Sequence, residues 1–105
     1  MSTMPTVTIV DESLSGSRAE GWALEIFEER LRLDEIIRRR IYQEVTERDP
    51  RTDWRAEYER ALDAFRRNGF VVLVGGHQVT ELEHEVELSA GTEVTFLKLI
   101  PLVGG

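Results

Sequence analysis

Polar and apolar residues alternate in two short stretches near the start of the chain, TVTIV at 6–10 and GWALEIF at 21–27. Alternation places every second side chain on the same face of an extended segment, as a half-buried strand requires. The apolar residues that share a face are Val7 and Ile9 in the first stretch and Trp22, Leu24 and Ile26 in the second. The polar stretch DESLSGS between them predicts a hairpin with a loose connection.

A helical period replaces this alternation after Arg32. The apolar positions that recur at helical spacing are Leu33, Ile36, Ile37, Ile41 and Val45. Asp34 and Glu35 stand in the predicted first turn and Arg48 near the end, which suits the helix dipole. The segment RDPRTD at 48–53 stops this amphipathic helix.

A second helix is predicted over residues 53–68, with Thr52 or Asp53 as the N-cap and Asn68-Gly69 as the stop. Its apolar stripe consists of Trp54, Tyr58, Ala61, Leu62 and Phe65. Such a stripe is typical of a core-facing helix. The rival interpretation is a self-association surface formed by Trp54, Tyr58 and Phe65, because aromatic residues are enriched at interfaces.

Two further strands are predicted in the second half of the chain. FVVLV at 70–74 is continuously apolar, as expected for a strand buried on both sides, and Gly75-Gly76 turns the chain. TEVTFLKL at 92–99 is the last strand. If Val94 and Phe96 point into the core, alternation turns Leu97 and Leu99 outward, where we expect them to form a docking patch for a partner.

Composition narrows the class of protein. The chain has 105 residues and 41% hydrophobic residues, enough for one domain with a modest core. A net charge of -7 argues against nucleic acid and anionic membranes as partners. The absence of cysteine and of any long apolar run predicts a soluble, cytoplasmic protein without disulfides, thiolate metal sites or a membrane span.

No arrangement of residues within the domain resembles an active site. His77 and His84 have no nucleophile with a plausible acid partner nearby. Glu81, Glu83, Glu85 and Glu87 alternate with other residues and would line one face of a strand. Such carboxylates suit a hard cation, but a solvated face is the simpler interpretation. We therefore predict no catalytic residue, no metal and no cofactor.

The chain ends in LIPLVGG, residues 99–105. A terminal carboxylate can attack the α-phosphate of ATP to form an acyl adenylate, and an enzyme channel would admit glycines most easily because they lack a β-carbon. Pro101 keeps the preceding residue extended. We predict a flexible tail over 100–105, with Gly105 as the reacting residue and the other contacts made by Pro101, Leu102, Val103 and Gly104. Lys98 is the only side-chain amine and hence the candidate acceptor in self-conjugates.

Three stretches resemble the ubiquitin-like β-grasp superfamily, in particular its sulfur-carrier branch, the molybdopterin synthase small subunit and the thiamine-pathway carrier. VLVGGHQV is similar to the family's strand, glycine turn and return, and HEVELSAGTEVTFLKLIPLVGG to its last strand and terminal Gly-Gly. LEIFEERLRLDEIIRRRI resembles ubiquitin's second strand and helix. The resemblance implies an α+β β-grasp domain over 1–99, a mixed sheet with one packed helix, and adenylation of Gly105 by an activating enzyme.

The chain also departs from that branch. Thr92 stands where the family usually has Asp, and the predicted helix at 53–68 has no counterpart in the minimal fold. These departures weaken the assignment to molybdopterin or thiamine synthesis and leave room for a bacterial ubiquitin-like modifier. This is the leading hypothesis, with a conjugating enzyme, a processing protease and target proteins as further partners. A sulfur carrier bearing a C-terminal thiocarboxylate is the first alternative. A non-covalent binding module that forms homo-oligomers through the aromatic helix is the second.

Overall fold

The computed structural model describes residues 6–14, 16, 18 and 21–99, and within them the chain forms seven strands and two helices. The strands are β1 (Thr6–Ser13), β2 (Trp22–Glu25), β3 (Arg30–Arg32), β4 (Phe70–Val74), β5 (His77–Val79), β6 (Glu85–Glu87) and β7 (Glu93–Lys98). The helices are α1 (Leu33–Arg48) and α2 (Trp54–Arg66). This succession confirms the predicted α+β class with two helices.

Five of the strands form a mixed sheet in the order β2-β1-β7-β4-β5. The first and last strands, β1 and β7, are parallel neighbours, and the other pairs are antiparallel. The predicted hairpin between 6–10 and 21–27 is confirmed as the β1–β2 pair. β1 continues beyond that hairpin because its second half pairs with β7 as far as Ser13 opposite Lys98.

The main hydrophobic cluster lies on one side of this sheet, and Val10 and Thr95 are buried on the other. Ile36 and Ile37 of α1 are almost fully buried and belong to the same cluster as the inward residues of the strands. Those inward residues are Val7, Ile9, Leu24, Val72, Val74, Val94 and Phe96. Because strand side chains alternate between faces, the neighbouring residues of β4 and β7 point to the opposite, outer face.

The start of α1 is capped by a loop and not by a side chain. Arg32 occupies the N-cap position without a side-chain cap. Instead, the amides of Leu33 and Asp34 donate to the carbonyl oxygens of His84 and Leu82, each at 3.0 Å. These bonds satisfy donors that every helix start leaves free. The short β3–β6 pair lies beside them and was not predicted, because three residues carry too little periodicity.

The second helix follows its sequence signals closely. The Asp53 side chain accepts from the amides of Arg55 and Ala56 at 3.1 and 3.4 Å, which identifies the N-cap. Asn68 has a φ of 60°, and the amide of Gly69 donates to the Ala64 carbonyl at 2.7 Å. α2 packs mainly against α1, and its Leu62 is buried in the common core.

An ion-pair network joins α1 to the loop that follows β2. The Arg39 guanidinium donates to both carboxylate oxygens of Glu28, at 2.8 and 2.7 Å, and to Glu35 at 2.9 Å. The hydrogen bonds from Arg39 lower the pKa of Glu28 to about 2. The network therefore holds the helix and the loop together over the ordinary pH range.

Candidate functional site

The outer face of β7 carries the apolar residues predicted to meet a partner. Leu97 lies opposite Val71 of β4 in the antiparallel register, and Leu73 lies opposite Thr95. Val71, Leu73 and Leu97 are all partly exposed, and we call these three residues the outer patch. No helix of the described residues belongs to this face, since α1 and α2 share the core on the other side.

Charged side chains border the outer patch. Glu12 of β1 is the other neighbour of Leu97, and its carboxylate lies 3.5 Å from the Arg18 guanidinium. Arg18 also contacts Glu93 of β7 at 2.9 Å. The patch is thus an apolar surface with a paired, polar rim, the composition typical of a protein interface.

Leu99 directly follows the last residue of β7. Its amide donates to the Gly69 carbonyl at 3.0 Å, and its side chain is partly exposed. The residues predicted for tail recognition and covalent attachment, Pro101, Leu102, Val103, Gly104 and Gly105, lie outside the described residues. Their roles, and the flexibility of 100–105, stay predictions.

Lys98 stands on the same face of β7 as Phe96, at the end of the strand. Its cross-strand neighbours are Phe70 of β4 and Ser13 of β1. The residue is exposed, and its side-chain ammonium group forms no ion pair or hydrogen bond with another residue in the described part of the chain. An accessible amine of this kind meets the steric requirement for an acceptor, and the acceptor role stays a prediction.

The aromatic stripe of α2 divides between core and surface. Phe65 and Tyr58 pack against the core, and the Phe65 ring contacts Phe70 edge to face at 5.7 Å. Burial, with the nearby carboxylates of the first turn of α1, raises the pKa of Tyr58. Trp54 instead packs edge to face on Tyr42 at 5.4 Å, with the guanidinium groups of Arg38 and Arg55 against its ring.

Replacing Phe65 by alanine tests the self-association interpretation directly. Because the ring is only partly buried, we expect the free energy of unfolding to fall by about 2 kcal/mol, less than a fully buried Phe costs. Sedimentation should show the same molecular mass as for the unchanged protein. A change from dimer to monomer with near-normal stability would instead identify Phe65 as an interface residue.

The histidines and the run of glutamates do not form a common site. His77 and His84 are exposed, and only Glu85 and Glu87 of the four glutamates lie on one strand. These two side chains share a face of β6 opposite Arg32 and Arg30, and Arg30 contacts Glu87 at 3.1 Å. Among the described residues, no group of three or more His, Cys, Asp or Glu side chains could hold a metal ion.

Comparisons with known proteins add no relative. No protein-family model matches the chain, and no curated protein is significantly similar to it. Neither helix in the described part of the chain is long and apolar enough to cross a membrane.

Sequence reasoning missed two members of the outer patch, Val71 and Leu73. FVVLV is apolar at every position and was read as buried on both sides, yet these two side chains are partly exposed. Glu93 shares a face with Leu97 and is exposed, but Thr95 on the same face lies opposite Leu73 and is only 5% exposed. The polar residues of the partner strand therefore do not indicate the exposure of Val71 and Leu73.

Proposed function

We propose that the chain is a β-grasp domain that acts as a ubiquitin-like protein modifier. The observation that carries this proposal is the order of the main sheet, in which the first and last strands, β1 and β7, are parallel neighbours. β1 pairs on its other side with its hairpin partner β2, and β7 pairs on its other side with the β4–β5 hairpin. One helix packs across a single face of that sheet, as the β-grasp fold requires.

The position of the last strand gives this function a physical basis. Six residues follow Leu99, so a free carboxylate at Gly105 could reach no further than about 20 Å from it. An enzyme that acts on Gly105 must therefore hold the domain close to the end of β7. The outer patch lies at that end, with Leu97 two residues before Leu99, and offers an apolar surface for such a contact.

The chain acts as a substrate in this scheme, and the catalytic groups belong to its partners. The Gly105 carboxylate attacks the α-phosphate of ATP on an activating enzyme, and pyrophosphate leaves. A cysteine thiolate of that enzyme then displaces AMP to form a thioester. A conjugating enzyme carries the acyl group to an amine of a target protein, or to Lys98 of another copy, and the thiolate leaves as the amide forms.

Substitution of Leu97 by aspartate tests the docking role of the outer patch. A carboxylate at this position must lose water when the enzyme covers it, so we expect activation of Gly105 to slow at least about tenfold, which corresponds to about 1.4 kcal/mol. Pyrophosphate exchange into ATP with the activating enzyme measures this rate. Circular dichroism of the variant establishes that the domain remains folded.

Tyr42→Asp is the matched control, since Tyr42 is an exposed apolar residue of α1 on the other side of the sheet. It introduces the same charge and should leave the exchange rate unchanged. Normal activation of a folded Leu97→Asp protein would remove the outer patch from the proposal. A loss in both variants would show that the added charge alone, and not its position, is responsible.

A further inference from the structure

A cavity of about 470 Å³ opens between the two helices and the ends of β1, β4 and β7. It lies on the helix side of the sheet, away from the outer patch. Its apolar walls are formed by Ile37, Ile41, Ala61, Phe70 and Phe96. The volume falls within the range of pockets that bind small molecules, and an apolar group of matching size would remove these walls from water.

The carboxylates beside the cavity are already paired. Asp11 accepts through its two oxygens from the Arg40 guanidinium at 2.7 and 2.9 Å, and Glu44 accepts from the same group at 3.3 Å. Glu12 also borders the cavity, but its side chain belongs to the outer face of the sheet, where it pairs with Arg18 at 3.5 Å. Each of these three carboxylates therefore has a cationic partner.

The groups without a partner are hydrogen-bond donors. The Nε of Arg40 is buried, and no acceptor in the described part of the chain bonds to it. The Lys98 ammonium group also forms no ion pair or hydrogen bond with the described residues. On the helix side of the sheet, Asp11 and Glu44 balance Arg40 and Lys98 in charge, so unused hydrogen bonds decide which polar group fits. A ligand that brings an acceptor supplies what this cavity lacks.

The position of Lys98 determines how such a ligand would lie. Lys98 stands at the end of β7 opposite Phe70, so its ammonium group borders the mouth of the cavity. A charged head group must keep water or find a charged partner, and both are present at this mouth. Glu44 lies at the same mouth and is 42% exposed, so its carboxylate would repel a second negative charge. The arrangement therefore suits a single carboxylate on an apolar body.

We propose that this cavity binds a compact monocarboxylic acid with an apolar, ring-sized body, whose carboxylate accepts hydrogen bonds from the Lys98 ammonium group. The ring packs between Phe70 and the walls formed by α1 and α2. This site does not depend on the proposed modifier function, because it lies across the sheet from the outer patch. Its test needs neither an activating enzyme nor a free Gly105.

Three probes with one body and different heads test the ligand class: phenylpropionate, phenylpropanol and phenylpropylamine. We expect NMR titrations of the full chain to shift the amides of the cavity walls. Phenylpropionate should bind about twofold to fivefold more tightly than the alcohol, the gain typical of an exposed ion pair. The amine should bind most weakly, because the unpaired donors repel it. Failure of the acid to bind more tightly than both other probes would overturn the ligand class.

Chemical acetylation tests whether the carboxylate lies at Lys98. An amine-selective reagent modifies only Lys98 and the α-amino group, because the chain has no other lysine. Saturating phenylpropionate should slow the acetylation of Lys98 and leave the α-amino group, which serves as the internal reference, unchanged. Mass spectrometry of the digested protein measures both rates. An unchanged rate at Lys98 in the saturated protein would contradict the proposed pairing.

Substitutions of Lys98 separate its hydrogen bonds from the overall charge. Lys98→Gln should remove the advantage of the acid over the alcohol, and Lys98→Arg should keep it. Arg60→Gln is the matched control, since it removes one positive charge from a residue that pairs with Glu57 at 3.2 Å and does not line the cavity. It should leave the order of the probes unchanged. A persistent advantage in Lys98→Gln, or an equal loss in Arg60→Gln, would overturn the role of Lys98.

Variants of the cavity wall test its location. Ala61→Leu and Ala61→Phe should weaken all three probes in order of added volume, and Ala64→Leu on the same helix should not. NMR dispersion of each variant checks its folding. Unchanged binding in a folded Ala61→Phe protein, or no binding of phenylpropionate at millimolar concentration, would overturn the site.

Discussion

Replacing Phe96 by alanine should lower the free energy of unfolding by about 3–5 kcal/mol, the cost of removing a buried Phe side chain. Phe96 is 7% exposed and lies on central strand β7. Its ring packs in the core cluster, 5.8 Å from the Phe70 ring and 4.3 Å from the Arg40 guanidinium. Truncation removes apolar burial and also the ring against which a largely buried cation packs.

Leu97→Ala is the matched control, since it alters the adjacent residue on the outer face of the same strand. Leu97 is partly exposed, and no helix of the described residues packs on its face of the sheet. Its truncation should therefore lower the free energy of unfolding by only about 1 kcal/mol. Chemical denaturation measures both variants. Similar losses for the two would contradict the assignment of Phe96 to the core face and Leu97 to the outer face.

The assignment of Phe96 and Leu97 to opposite faces was predictable because polar and apolar residues alternate along most of β7. Polar Glu93 and Thr95 alternate with apolar Val94 and Phe96, so the sequence indicates which face meets the helices, although Thr95 on the other face is also buried. FVVLV has no polar residue and gives no such indication. The exposure of Val71 and Leu73 emerges only when their strand is paired with β7, which is information about tertiary structure.

Local signals predicted the helices well and the small strands poorly. Asp53 and Asn68-Gly69 determine the two ends of α2 through hydrogen bonds to residues only a few positions away. Such local bonds can be predicted from the sequence. The start of α1 depends instead on the carbonyl oxygens of Leu82 and His84, about fifty residues along the chain from the amides of Asp34 and Leu33 that they accept from. No local sequence pattern predicts a cap of that kind or the β3–β6 pair beside it.

The cavity could not be predicted from sequence for a related reason. The helical stripe that contains Ala61 is compatible with close packing or with a gap, depending on how α2 meets α1 and the strand ends. Ala61 is small and faces Ile41, Phe70 and Phe96 across an opening that larger residues would fill. The space is a property of three elements together, whereas periodicity describes one at a time.

Deletion of Gly105 should abolish activation of the chain, because every carrier mechanism passes through the carboxylate of that residue. With the activating enzyme and ATP, the intact chain should support exchange of labelled pyrophosphate into ATP, since adenylate formation is reversible. The shortened chain should support none. Its melting temperature should remain unchanged, because no residue of the described core is altered, and that result would separate lost chemistry from lost folding.

Gly104→Val is a milder change that tests the same step as the deletion. It keeps the carboxylate but adds a β-branched side chain next to the reacting residue, so it should slow exchange without abolishing it. Intact-mass analysis of the protein from its native cells then distinguishes the products: Gly105 joined to lysines of other proteins indicates a modifier, whereas one terminal oxygen replaced by sulfur indicates a sulfur carrier. If removal of both glycines leaves the biological activity unchanged, the carboxylate has no role, and the outer patch must act as a non-covalent binding surface.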